Sequence, residues 1–214
     1  APTAPPAPYA DAADPSLAAR IAETGFWFVD TPCAAPAPLR AAFTRRLAPA
    51  DGPATGDDPS CLPAAEMRRL VGARAWGALH VVACVRNPFD RILAVYNGQR
   101  AQGALPEQIG FPDFVADICG RGDALARPEL RLGAAEFLLD ADRAVLVDDI
   151  IRYEDPAPGL RRVAARIGAP ELVSLAPPPP EAGEPGYRAA YDARARALVA
   201  ERFALELTLF DYGF

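Results

Sequence analysis

V-V-A-C-V-R-N-P-F-D-R-I-L-A-V-Y-N, residues 81–97, decides how the chain folds. With His80 at its head, the run Val81 to Val85 has the length and β-branched content of a strand. Asn87 then supplies an N-cap oxygen, Pro88 fits the first helical position and Asp90 complements the helix dipole. A helix therefore starts at Pro88 and runs to about Gln99. Working outward, Phe26 to Val29 follow Gly25 as an aromatic and β-branched run that reads as a buried strand. Ala144 to Val147, reaching toward Asp149, read as a third strand. Helices are predicted over Leu39 to Leu47, from Pro63 to Gly72, over 111–119 and 160–167, and as one long element from Tyr187 to Leu207. Strands alternating with helices predict an α/β fold, a mostly parallel sheet with helices on both faces.

Residues 1–14 form a Pro/Ala-rich arm, with Asp14 or Ser16 capping a short helix to about Glu23. Residues 15–214 form one domain, within which 48–60 is a loop and Pro177 to Pro180 a polyproline spacer.

Composition excludes several chemistries. All 22 basic residues are arginine, so neither a Schiff-base lysine nor a P-loop lysine exists. His80 is the single histidine, which rules out any site needing two imidazoles. None of Ser16, Ser60 and Ser174 sits in a G-x-S-x-G elbow. Cys33, Cys61, Cys84 and Cys119 form no C-x-x-C pair, so no metal site is predicted and the thiols suit a reducing compartment, the cytoplasm by default. A net charge of −6 argues against nucleic acid. No apolar run is long enough for a transmembrane segment.

Four ordered segments resemble the sulfotransferase superfamily, its carbohydrate-type branch. Residues 81–97 are similar to that family's 3′-phosphate-binding strand and helix, and V-D-D-I-I-R-Y-E-D, 147–155, to its strand-end Arg-x-Glu segment. Residues 187–214 resemble its C-terminal helix and closing Phe-x-Tyr-x-Phe, and F-V-D-T-P-C-A-A-P-A-P-L-R, 28–40, takes the place of its phosphosulfate loop. The resemblance implies a single-domain, P-loop-like three-layer sandwich. It also implies transfer of a sulfuryl group from 3′-phosphoadenosine 5′-phosphosulfate (PAPS) to an alcohol.

Transfer needs backbone donors and a cation at the phosphosulfate, a second anion site for the 3′-phosphate, and a base. At the family's cofactor positions, Arg86 stands where the 3′-phosphate arginine lies, Cys33 replaces the loop lysine and Ala94 replaces a serine. Pro36 replaces the loop glycine, and Pro32, Pro36 and Pro38 withhold three N–H groups. For the base, Cys61 and Glu129 occupy the places of family histidines. Arg86 is read as either a phosphate ligand or a strand-end arginine pairing with Asp90; Arg91, Ile92 and Tyr96 as helix packing and solvation; His80 as a core-edge histidine; Arg152 and Glu154 as an ion pair.

The leading expectation is a pseudoenzyme without a cofactor that binds or assembles with another protein through residues 1–8 or Pro177 to Pro180. The alternative is an active PAPS-dependent enzyme in which Arg40, Arg45 or Arg46 folds over the loop at 32–38. A third reading is a thiol site of Cys33 and Cys61.

Overall fold

The computed structural model describes residues 19, 23–47, 62–120, 132–176 and 186–214. The arm at 1–14, Cys61, Glu129 and the spacer Pro177 to Pro180 lie outside the described residues.

Three parallel strands, β1 (Phe26–Val29), β2 (His80–Val85) and β3 (Asp149–Arg152), pair in the order β1-β2-β3. Phe26 faces His80 across one pair, and Val82 faces Asp149 across the other. All of β1, and β2 from Val81 to Val85, is buried residue after residue. Successive strand side chains point to opposite faces, so both faces of the sheet are covered. The α/β expectation holds, and the sheet is wholly parallel among the described residues.

Helix α1 (Ala37–Leu47) lays Phe43 on β1, with its ring 4.4 Å from Phe28 and 5.5 Å from Phe26, one strand repeat apart. Each buried ring contributes roughly 1.5–3 kcal/mol relative to exposure. Helices α2 (Ala64–Val71) and α3 (Ala73–Trp76) are separated by Gly72, whose φ of 82° suits glycine. After β2 come α4 (Pro88–Ala101), α5 (Phe111–Cys119) and α6 (Ala134–Leu138), and β3 feeds α7 (Pro156–Ile167). A Cβ on Gly159 would lie 3.0 Å from the Ile150 carbonyl and the Ile151 Cα, so glycine permits the close approach of α7 to β3.

A second core contains no strand residue. Phe89, Ile92 and Val95 of α4 meet Phe114 and Ile118 of α5 and Val199 of α8 (Ala193–Arg202).

Two elements differ from the sequence expectation. The third strand begins at Asp149 rather than Ala144, and Val145 instead makes a lone antiparallel bridge to Leu139. The aspartates set that register: the Val81 N–H donates to Asp148 Oδ2 at 2.8 Å, and Asp149 pairs with Arg162 at 2.9 Å. The long helix at 187–207 is divided into a 3₁₀ turn (Tyr187–Ala190), α8, and α9 (Ala204–Leu209). Asp192 caps α8 by accepting from the Ala195 N–H at 2.7 Å, which requires extended backbone ahead of it, and Phe203 leaves helical geometry at φ −109°.

Candidate functional site

In parallel sheets of α/β proteins, ligands bind outside the carboxyl ends of the strands. Here that edge gathers the loop after β1, Arg86 and Asn87 after β2, and Arg152 to Glu154 at the end of β3.

The loop after β1 folds back on itself. The Thr31 hydroxyl donates to the Cys84 carbonyl of β2, and the Ala34 N–H donates to the Thr31 carbonyl at 3.1 Å. Cys33, half-buried, has a left-handed φ of 58°, a conformation that costs a non-glycine residue of order 1 kcal/mol. Asp30, 4% exposed, pairs with Arg40 Nε at 2.7 Å, placing a buried carboxylate at the loop's mouth.

Arg86 crosses this corner. Its Nε donates to Asp90 Oδ2 at 2.6 Å, its Nη1 donates to the Cys33 carbonyl at 3.3 Å, and its guanidinium lies 3.8 Å from the centre of the Tyr153 ring. The pairing with Asp90 is the arrangement expected of a strand-end arginine. Ala94, two turns along α4, is half-buried and has no side-chain donor. Ile92 is core and the Tyr96 hydroxyl donates to the Ile109 carbonyl at 3.1 Å, both as packing residues. Arg91 differs from the expected solvation: it is 2% exposed, with its guanidinium 5.0 Å from the Phe203 ring.

Arg40 and Arg46 are each engaged by a carboxylate rather than by the loop at 32–38. Arg40 pairs with Asp30, and Arg46 with Glu171 at 3.2 Å, while Arg45 is exposed on the last turn of α1. The guanidinium that does touch the loop is that of Arg86.

Arg152 and Glu154 do not pair with each other. Arg152 Nη1 donates to the Phe210 carbonyl at 2.7 Å and its guanidinium lies 4.4 Å from the Tyr212 ring. Glu154 Oε1 accepts the Asn87 N–H at 2.6 Å and Oε2 accepts the Tyr212 hydroxyl at 2.9 Å. Asn87 Nδ2 adds a bond to the Gly213 carbonyl at 2.8 Å and one to the Tyr187 hydroxyl at 3.2 Å. Residues 210–214 are thus stitched across the ends of β2 and β3. Asn87 also caps α4, accepting the Phe89 N–H at 3.1 Å as the sequence predicts. Its bonds to Gly213 and Tyr187, and the role of Tyr153, carry no signature in local periodicity.

The other described thiols are poor nucleophiles. Burial pushes the Cys84 thiol well above its usual range and Cys119 up to about 11. No group of three or more potential metal ligands occurs among the described residues, and none of their helices is long and apolar enough to cross a membrane. No family model matches the chain, and neither a curated protein nor a solved structure matches it.

Proposed function

We propose that this chain is a sulfotransferase-type protein that has lost PAPS-dependent transfer and works by binding a protein partner. The carrying observation is the state of Arg86, the residue that the resemblance assigns to the 3′-phosphate. Its charge is already matched by Asp90, one N–H is spent on the Cys33 carbonyl and its face is stacked on Tyr153.

The rest of the corner supports the same reading. Cys33 supplies no fixed cation where the lysine is needed, and the nearby Arg40 is spent on the buried carboxylate of Asp30. Ala94 offers no donor, and Pro32, Pro36 and Pro38 offer no N–H. Electrostatic groups of this kind each contribute on the order of 10²- to 10³-fold in rate, so their joint loss is not absorbed by one remaining arginine. The residues present do not fit PAPS, and no transfer step is assigned to them.

Titrating PAPS and 3′-phosphoadenosine 5′-phosphate by calorimetry tests this reading. The expected result is no saturable heat corresponding to a Kd below about 1 mM, and no transfer of labelled sulfate to saccharide or phenolic acceptors. Cys33→Lys should not restore transfer, because Pro36 and Ala94 remain. Micromolar nucleotide binding, or turnover by the unaltered protein, would replace this reading with that of an active enzyme working through arginine.

A further inference from the structure

A cavity of about 640 Å³ opens at the other end of the strands. Strand β2 spans about 20 Å at the usual rise per residue, so this cavity is well separated from the Arg86 corner. Phe26 at the start of β1 and Leu79 just before β2 give it an apolar floor. Arg46 from the last turn of α1, Arg166 from the last turn of α7, His80 and Asp148 supply its charged and titratable groups. Its volume is that of a small-molecule site.

The charges here are only partly spent. Arg166 is exposed and has no ion pair or hydrogen bond among the described residues. Arg46 pairs with Glu171 only through an exposed contact, of a kind worth little. On the acidic side, Asp148 Oδ2 already accepts the Val81 N–H, and Asp149 behind His80 is matched by Arg162. His80, 14% exposed, is flanked by these carboxylates, with Nε2 3.2 Å from Asp149 Oδ2 and Nδ1 3.9 Å from Asp148 Oδ2. With Glu171 counted beside Arg46, two arginines face two carboxylates here, and Arg166 is the lining cation with no ion pair among the described residues.

We infer that this cavity binds a small organic phosphate monoester, its phosphate held by Arg46 and Arg166 beside His80 and its organic part seated on Phe26 and Leu79. One guanidinium fork satisfies both oxygens of a carboxylate. A phosphate presents three oxygens and can serve two guanidiniums from different helices, while both His80 nitrogens stay turned to Asp148 and Asp149. The floor would be wasted on an inorganic ion.

His80 is the only histidine, so its imidazole carbon-bound protons report this cavity alone in the NMR spectrum. Phenyl phosphate is titrated at constant pH and ionic strength, with benzoate as the carboxylate arm. The expected result is a saturable His80 shift with phenyl phosphate, and binding weaker by about tenfold or more for benzoate. The same loss is expected for phenyl phosphate in the double variant Arg46→Ala/Arg166→Ala, whereas Arg161→Ala, an exposed arginine on α7 outside the lining, leaves the titration unchanged. No saturable shift, equal binding of benzoate, or an unchanged titration in the double variant would overturn the inference. The readout is independent of the nucleotide titration at the Arg86 corner, so either proposal can fail alone.

Discussion

The Arg86 corner and the cavity at the opposite end of the parallel sheet use their lining arginines in opposite ways. At the carboxyl end, Arg86 and Arg152 are consumed by the chain itself, on Asp90, on the Cys33 and Phe210 carbonyls and on tyrosine rings. At the amino end, Arg166 has no such bond among the described residues, and Arg46 is held there by an exposed pair. A guanidinium satisfied from within contributes to stability, whereas one left facing a cavity is available to a ligand. Stability measurements should therefore respond strongly at the carboxyl end and hardly at all at the amino end.

The largest effect is expected at Asn87. Asn87→Ala removes the α4 cap and both bonds to Tyr187 and Gly213 from a buried site, and should cost about 2–3 kcal/mol in urea unfolding. A cost equal to that of a cap alone would mean that the bonds to Tyr187 and Gly213 contribute nothing.

Next comes Glu206 on α9, the helix that delivers the tail. It is 1% exposed, and Oε2 accepts the Ala134 N–H at 2.9 Å. Burial is the main force pushing its carboxyl up from 4.5 to about 7, against the lowering influence of Arg91. A group raised in the fold stabilises fully below its unfolded value and loses that contribution as pH climbs through its folded value. The protein should thus be less stable at pH 8 than at pH 5 by about 2 kcal/mol from this group. In Glu206→Gln that portion of the pH dependence should vanish; an unaltered slope would show that Glu206 titrates normally.

Tyr212→Phe tests the stitching more lightly. Losing the bond to Glu154 Oε2, which the exposed carboxylate can partly recover from water, should cost about 1 kcal/mol. The smallest effect belongs to the amino end, where Arg46→Ala/Arg166→Ala should change stability by no more than about 0.5 kcal/mol. A larger loss there would erase the contrast between the ends.

How much of this was legible in the sequence depends on the range of the interactions. Asn87, Pro88 and Asp90 act within one helical turn, and the strand–cap–helix unit they specify appears where the local pattern puts it. The third strand slipped because A-V-L-V is the more apolar stretch, yet the aspartates at 148 and 149 fix the register through partners on β2 and α7. The broken helix at 187–209 had a visible signal in Asp192, outweighed by the helix-forming run on either side of it. At the site, the pairing of Arg86 with Asp90 spans four residues and could be read from spacing. The contacts of Arg152 and Glu154 with the tail could not, and a simple ion pair was expected in their place. Nor could any local pattern have found a cavity assembled from the starts of strands and the ends of distant helices.

The tail's reach has a consequence for how the protein is made. The bond from Tyr212 to Glu154 spans 58 residues and that from Asn87 to Gly213 spans 126. A ribosome releases β2 and β3 long before it releases their fasteners. Throughout that interval the finished strands carry unpartnered polar ends, and closing the edge waits on long-range contacts, the slow kind. A stalled or truncated nascent chain ending before Phe210 would therefore hold the carboxyl ends of β2 and β3 without their partners at Phe210, Tyr212 and Gly213.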